Sequence, residues 1–499
     1  MKQILTVLAS AFFLTLAAYA QRTHAPLPNA PRPTVVLSNS TTPSHLPKAG
    51  ESLAMTRPER SPSDSAEIDA STVGDVSLYT IVDLALRNSR TVHVAEADQQ
   101  RTRAIWMETR DIYIPSFSIG SGLGYSYGFP LGNPTLFNVQ SQFLAFSFSQ
   151  RDYIRSAQAA VKAATLSLKD VRRQVILDAS VNYIELNKTL AEIQALEQAT
   201  ADTDKLVSVV QNRLDAGLES KMDLTQAKLT RAQIQLQKIQ MEDHADELRQ
   251  HLSGLTGLDP NAITPAASSV PPLPDLDFQG LMSKENDAPA VQAAFATADA
   301  RMYNAWGNRR AVNRPIVYGA FQYSRFASFN GYSKYYQPNT FISNNVEVGI
   351  NATWPLFDRT LKDKADESAA IAKHDRQQAQ LAKIQSSENN LALVHSLREL
   401  EAQEQVADLQ QQLAQDTLTA TVTQMNQGGT NGQPVTPQQA DQYRVEERTR
   451  YVGLQDAQFN VTRVKLNLLS AMGDLEDWAK GSAQPQGDAS TINPPALSH

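Results

Sequence analysis

The sequence predicts an α+β membrane protein made of two structural repeats, each with a helix, a β-hairpin, a long helix and a further helix. Long segments with helical periodicity contain few glycines or prolines. Between them lie short segments in which apolar residues alternate with small or polar residues, as in β-strands, and this order of long and short segments occurs twice. No segment after the N-terminus has 18 consecutive apolar residues, so we expect no conventional transmembrane helix.

The N-terminus indicates export. Residues 1–20 contain Lys2, an apolar run and Ala18-Tyr19-Ala20, the pattern of a secretory signal peptide. Residues 21–76 are rich in Pro, Ser and Thr without periodicity, which predicts a disordered segment. The 499 residues include no cysteine, which excludes disulfides, thiolate metal sites, a Cys nucleophile and a lipidated N-terminal Cys. The formal net charge of -7 gives no reason to expect a nucleic-acid partner.

The first repeat is expected at residues 77–259. Ser77 is a candidate N-cap, and Gly217 and Gly257 follow the two later helices. Apolar residues from Ile176 to Ile193 are spaced three and four apart, a heptad seam that requires a partner helix. The expected elements are a helix at about 77–110, strands at about 112–129 and 136–150, and helices at about 151–215 and 221–255.

A Pro-rich connector at 260–289 leads to the second repeat, expected at 290–478 and followed by a flexible tail at 479–499. The last helix carries apolar residues at spacings of three and four from Leu454 to Leu475. The expected elements are a helix at about 290–312, strands at about 314–327 and 341–356, and helices at about 358–427 and 436–478.

The strands suggest a membrane sheet because one side of each is aromatic or aliphatic and the other is small or polar. Their lengths suit a tilted strand that crosses a bilayer. Four strands cannot close a barrel, and an open edge in hydrocarbon leaves backbone groups unpaired, so several copies must join: two would give eight strands and three would give twelve. Residues expected to meet lipid are Phe117, Tyr125, Tyr127, Phe148, Tyr318, Ile350 and Trp354.

Several motifs resemble those of the outer membrane efflux protein family, the TolC-like channels. They are the W-P-L-F-D-R junction from Trp354 to Arg359 and the N-R-L-D-A-G-L-E-S-K-M-D-L-T-Q-A turn from Asn212 to Ala227. L-S-G-L-T-G, ending at Gly257, and L-S-A-M-G, ending at Gly473, resemble that family's helix ends. The resemblance covers about residues 77–478.

The resemblance implies a homotrimer in the cell outer membrane, with a twelve-stranded β-barrel continuous with a periplasmic α-helical coiled-coil barrel. It implies the exit duct of a tripartite efflux pump or type I secretion system, with no enzymatic activity and no cofactor. Expected partners are outer membrane lipid, a periplasmic adaptor (membrane fusion) protein and an inner-membrane pump. The alternative is a soluble periplasmic coiled-coil adaptor or scaffold whose hairpins pack on partner proteins.

Two sets of candidate site residues lie near the turns between the long helices. We expect glycine-bearing turns to form tips that dock the adaptor, although turn formation alone would also explain their glycines. These tip residues are Gly217, Leu218, Ser220, Gly428 and Gly429. Asp223, after the first tip, and Asp416, just before the second, are candidates for a pore constriction. Related channels often carry acidic residues just after the second tip glycine, whereas residues 433–439 here contain none, and solvated helix-end charges are the alternative. His244 and His251 lie seven residues apart, which favours a coiled-coil surface pair over a metal site.

Overall fold

The structure is a computed structural model that describes residues 75–121, 135–274, 288–326, 344–426 and 436–481. The predictions for the signal peptide, for nearly all of the 21–76 segment and for the tail beyond residue 481 lie outside the described residues. So do four of the candidate site residues, which are Tyr125, Tyr127, Gly428 and Gly429.

The described chain follows the predicted repeat of helix, hairpin, long helix and helix. The first repeat contains α1 (Leu78–Asn88), α2 (Arg90–Asp111), β1 (Ser116–Gly120), β2 (Thr135–Ser147), α3 (Gln150–Asp215) and α4 (Lys221–Thr256). The second contains α5 (Pro289–Ala311), β3 (Ile316–Phe326), β4 (Asn344–Thr353), α6 (Arg359–Asn426), α7 (Pro437–Met472) and α8 (Leu475–Gly481). At 66 residues α3 is about 100 Å long, and α6 has 68 residues.

The two hairpins form one antiparallel sheet in the order β1-β2-β3-β4. The central pairing joins the repeats, with Phe143 of β2 opposite Gly319 of β3. Within the described residues, β1 pairs only with β2 and β4 pairs only with β3. Both outer strands therefore present an unpaired edge in the single chain.

The helices pack in the same lateral order as the strands. Below the sheet, α2 packs on α3, α3 on α5 and α5 on α6; farther away, α4 packs on α3, α3 on α7 and α7 on α6. The heptad prediction for α3 is confirmed, since Ile176, Tyr183 and Leu186 are buried in the largest apolar cluster of the described chain together with Leu252 of α4 and Leu466 of α7.

A short extended segment ties the start of α1 to the chain that follows α4. The Val76 amide donates to the Thr264 carbonyl oxygen at 2.8 Å. The Tyr183 hydroxyl accepts a hydrogen bond from the Ala266 amide at 2.9 Å and lies 2.8 Å from the Val76 carbonyl oxygen. Burial raises the pKa of Tyr183, whose hydroxyl also contacts Ser269. These contacts hold both segments against α3.

Two expected helices are each broken into two. The first breaks at Ser89, whose backbone is extended, and this break lets the Asn88 side chain donate to the Thr256 carbonyl oxygen at the end of α4. The last breaks at Gly473, which caps α7 with a left-handed φ of 89°, so Leu475 belongs to α8 rather than to the preceding seam.

The strands are shorter than predicted where they meet the helices. β1 begins at Ser116, after Pro115, because proline has no amide hydrogen for the ladder. β2 ends at Ser147 because α3 already starts at Gln150. β4 ends at Thr353, before Pro355. None of the described helices has a stretch long and apolar enough to cross a membrane.

Candidate functional site

The strand register separates the sheet into two chemically different faces. The apolar face carries Phe117, Ile119, Phe137, Val139, Ser141, Phe143, Phe146, Val317, Gly319, Phe321, Tyr323, Val346, Val348, Ile350 and Ala352, with Arg325 and Asn344 at the end farthest from the helices. The polar face carries Ser116, Ser118, Asn138, Gln140, Gln142, Ala320, Gln322, Ser324, Asn345, Glu347, Gly349, Asn351 and Thr353, with Leu144, Ile316 and Tyr318 at the end nearest the helices. The sheet is therefore amphipathic, with one mainly apolar face and one mainly polar face.

Among the described residues, nothing packs over most of the apolar face. Ile350 is 80% exposed and Phe117 is 70% exposed, fractions that are unusual for such side chains in a water-soluble fold. The Phe143 ring lies over Gly319, where an added Cβ would come within 2.6 Å of the Phe143 Cε1 atom. The absence of a side chain at Gly319 thus leaves room for the Phe143 ring, which covers this position on the apolar face.

The predictions that Tyr318 and Ile350 both meet lipid are incompatible with the strand register. Tyr318 is opposite Asn351, whereas Ile350 is opposite Gly319, so the two side chains lie on opposite faces. Tyr318 shares the polar face with Leu144, its partner on β2. Its aromatic character suggested lipid, but its position in the register decides the face.

Phe148 and Trp354 lie just beyond the strands, at the end of the sheet that joins the helices. The Phe148 ring makes an edge contact with Phe146 of the apolar face, with ring centroids 4.8 Å apart. Trp354 is 60% exposed, and its indole Nε1 donates to the Asn313 carbonyl oxygen at 3.0 Å. Both aromatic side chains therefore border the apolar face.

The turn between α3 and α4 is the described helical tip. Gly217 has a φ of 75°, as predicted for a helix-terminal glycine. The Leu218 amide donates to the Arg213 carbonyl oxygen at 2.8 Å, and the Arg213 guanidinium pairs with Glu219 at 3.0 Å. The backbone of the tip is thus fixed, while the Leu218 side chain stays 67% exposed.

Ser220 and Asp223 form a capping box at the start of α4. The Ser220 hydroxyl accepts a hydrogen bond from the Asp223 amide at 3.2 Å, and the Ser220 amide donates to Asp223 Oδ2 at 3.0 Å. The hydrogen bond from the Ser220 side chain lowers the pKa of Asp223. This geometry gives Asp223 a helix-end role. Asp416 is exposed near the end of α6, and a pore constriction by these two residues stays a prediction.

The two histidines each pair with a carboxylate of α3 rather than with each other. His244 Nε2 lies 3.0 Å from Glu185 Oε1, and His251 Nε2 lies 2.9 Å from Asp178 Oδ2. Both pairs bridge α3 and α4, as the coiled-coil interpretation predicts. Among the described residues, no group of three or more His, Asp or Glu side chains is placed to hold a metal ion.

A buried charged cluster joins α3 and α7, and sequence patterns gave no signal for it. Lys188 Nζ lies 2.6 Å from Asp456 Oδ1 and 3.3 Å from Glu192 Oε2. Glu192 is fully buried, and neither of its carboxylate oxygens accepts a well-aligned hydrogen bond. Burial raises the pKa of Glu192 to about 7, although Lys188 opposes the shift. Burial opposes the charged form of Lys188, but its hydrogen bond with Asp456 raises the pKa of Lys188 overall.

Comparison with known proteins shows that this fold is similar to that of several solved outer membrane channels. Residues 81–258 match the family model described as outer membrane efflux protein. No curated relative matches the sequence. The fold is similar to several solved structures that share little sequence with this chain.

Three of these structures cover most of the chain. The VceC outer membrane protein of Vibrio cholerae is 18% identical with a TM-score of 0.61, over 79% of this chain and 96% of VceC. The CmeC outer membrane channel of Campylobacter jejuni is 14% identical with a TM-score of 0.62, over 89% of this chain and 98% of CmeC. The MtrE outer membrane channel of Neisseria gonorrhoeae, in its open state, is 14% identical with a TM-score of 0.60, over 80% of this chain and 89% of MtrE.

Proposed function

We propose that the chain is an outer membrane efflux protein, of which three copies form one outer membrane channel that serves as the exit duct of a tripartite efflux pump or type I secretion system. Four strands from each copy give a closed barrel of twelve, and the long helices continue it into the periplasm. Transport through such a duct requires no catalytic residues and no cofactor.

The observation that carries this proposal is the pair of open edges on each copy. Within the described residues, β1 and β4 leave their outer backbone groups unpaired, and a sheet within hydrocarbon cannot keep such edges. Pairing β1 of one copy with β4 of the next satisfies both edges. Because the two edges differ, the contact is head-to-tail, and repeating it closes a ring.

The helices, like the sheet, have two different unpartnered sides. α4 packs on α3 and α1 but leaves an apolar seam exposed, and α6 packs on α5 and α7 but leaves a second seam exposed. Spacings of three, four and seven are those of coiled-coil positions. The exposed seam of α4 contains Met222, Leu229, Leu236 and Ile239, and that of α6 contains Leu381, Ile384, Leu391, Val406, Leu409 and Leu413. In a ring, α4 of one copy covers α6 of its neighbour.

The two faces of the sheet support the same arrangement. An apolar face turned to lipid and a polar face turned to the lumen are typical of transmembrane barrels. Small or polar residues such as Ser118, Gln322 and Asn351 on the polar face leave a wet interior. A soluble adaptor would need another protein to cover Ile350 and its exposed neighbours.

Assembly and location can be tested with the purified full-length protein. Light scattering or native mass spectrometry in detergent should give a trimer, and fractionation should recover the protein with outer membranes. A monomer that keeps all its β-structure by circular dichroism would contradict the ring. Mature protein recovered from the soluble periplasm without detergent would favour the adaptor alternative.

We further propose that the helical tips dock the periplasmic adaptor. Leu218 is exposed although the backbone amides of Gly217, Leu218 and Ser220 all donate hydrogen bonds, so turn formation does not require this side chain. Gly217 and Ser220 hold the turn, and Gly428 and Gly429 occupy the corresponding turn of the second repeat, outside the described residues.

Replacing Leu218 tests the docking proposal. Leu218→Asp should abolish efflux or secretion in cells while trimer yield and membrane insertion stay at wild-type levels, because the side chain contacts neither the barrel nor a helical seam. Leu218→Met is the matched control and should retain transport, since it keeps the apolar contact. Normal transport by Leu218→Asp would leave this tip as a simple turn.

A further inference from the structure

Arginines lie at the end of the sheet that joins the helices. Each strand end there has an arginine within six residues. The five arginines are Arg110, Arg151, Arg310, Arg314 and Arg359, and the same stretches contain Asp111, Asp152 and Asp358. At the opposite end, β3 carries Arg325 and the loop that follows it contains Lys334.

Arg314 is held among aromatic side chains at the border of the apolar face. Its guanidinium carbon lies 4.8 Å from the centroid of the Phe148 ring, which in turn packs on Phe146. The next residue back, Asn313, accepts the hydrogen bond from Trp354. The arginine is therefore positioned by stacking rather than by a carboxylate.

Arg110 pairs with Asp111 at 2.8 Å, but other arginines at this end have no ion-pair partner within the described chain. Arg314 and Arg359 are exposed, and neither forms an ion pair with a described residue. Arg310 differs, because it is paired at 2.8 Å with the buried Asp152. Phe357, two residues before Arg359, is 92% exposed and has no apolar cluster of the described chain to enter.

We propose that this end of the sheet is a binding collar for anionic phospholipid headgroups, formed by Phe148, Arg314, Trp354, Phe357 and Arg359. The proposal rests on the proposed membrane channel, which places the collar at the leaflet facing the helices. Aromatic rings favour the bilayer interface, and arginine binds phosphate through several aligned donors. Unpaired arginines directly below an apolar face are placed where lipid phosphates lie.

Trp354 provides a local probe of the lipid that contacts the collar. The full-length trimer is reconstituted into phosphatidylcholine vesicles, and quenching of tryptophan fluorescence is measured with brominated phosphatidylcholine or brominated phosphatidylglycerol in varying proportion. Trp354→Phe supplies the background from the other three tryptophans, Trp106, Trp306 and Trp478. The ratio of the two relative binding constants is the readout.

We expect phosphatidylglycerol to bind the wild-type collar about fivefold or more above phosphatidylcholine, since a basic residue near an anionic surface contributes about this factor. Arg314→Gln/Arg359→Gln should bring the ratio near one. Lys228→Gln/Arg398→Gln is the matched control, because it removes two exposed, unpaired charges from α4 and α6 far from the sheet, and it should keep the wild-type ratio.

The outcomes separate the collar from the channel itself. Equal binding of both lipids by the wild type, or an equal loss in the control variant, would overturn the collar. Loss of the preference on adding soluble glycerol phosphate would indicate a site for free anions instead of lipid headgroups and would also overturn it. Absence of quenching of Trp354 by either lipid would overturn the proposed membrane channel, and the collar with it.

Discussion

Replacing Glu192 with glutamine should stabilise the helical bundle at neutral and higher pH. Glu192 is fully buried, and its nearest cation, Lys188, lies closer to Asp456 than to Glu192. The ionised carboxylate therefore loses its hydration without gaining a hydrogen bond in return. A glutamine of similar shape removes this buried charge.

The size and direction of the effect follow from the pKa of Glu192. Folding raises it from 4.5 to about 7 because of burial, a difference that corresponds to roughly 3 kcal/mol. The folded state then holds more protons than the unfolded state between these two values, so the stability of the wild type falls as pH rises from about 4.5 to about 7. Above about pH 7 the destabilisation by the ionised Glu192 reaches its full value.

Thermal unfolding followed by circular dichroism at 222 nm, from pH 4 to pH 8, measures this effect. The gain in stability of Glu192→Gln over the wild type should be about 3 kcal/mol greater at pH 8 than at pH 4. Glu197→Gln is the control, since Glu197 forms an exposed pair with Lys238 and should matter by less than about 1 kcal/mol. A difference between Glu192→Gln and the wild type that does not vary with pH would refute the reasoning.

Three further substitutions test the sheet and the tip. Ile350→Arg should hinder membrane insertion by roughly 2 to 4 kcal/mol whereas Asn351→Arg is tolerated, and equal insertion yields would contradict the assigned faces. Gly319→Ala should lower the yield of assembled trimer because its methyl group collides with the Phe143 ring, and an unchanged melting temperature would argue against this contact. Ser220→Ala should cost about 1 kcal/mol in thermal stability through loss of the cap, with normal barrel insertion.

Hydrophobic periodicity predicted the long helices well because their seams are buried over many turns, as Tyr183 and Leu186 show. It missed the break at Ser89, where no proline or glycine interrupts the pattern and a tertiary hydrogen bond from Asn88 selects the break. The periodicity also predicted that the last helix continues past Gly473, because Leu475 keeps the apolar spacing although the glycine ends α7.

Site residues were predictable only where the local sequence determines their conformation. Gly217 follows from the chemistry of helix ends, and its positive φ is confirmed. Tyr318 needed the pairing register, which depends on a strand from the other hairpin. The cluster of Lys188, Glu192 and Asp456 joins two helices far apart in the sequence, so no local spacing could show it.

The pairing of β2 with β3 has a consequence for the order in which the protein forms. Phe143 and Gly319 are neighbours in the sheet, but the whole of α3, α4 and α5 lies between them in the chain. Contacts between residues so distant form slowly, because the intervening chain must first be confined. We therefore expect each hairpin and its helices to become compact independently. The join between the hairpins should come later and set the pace at which newly exported chains become competent to assemble.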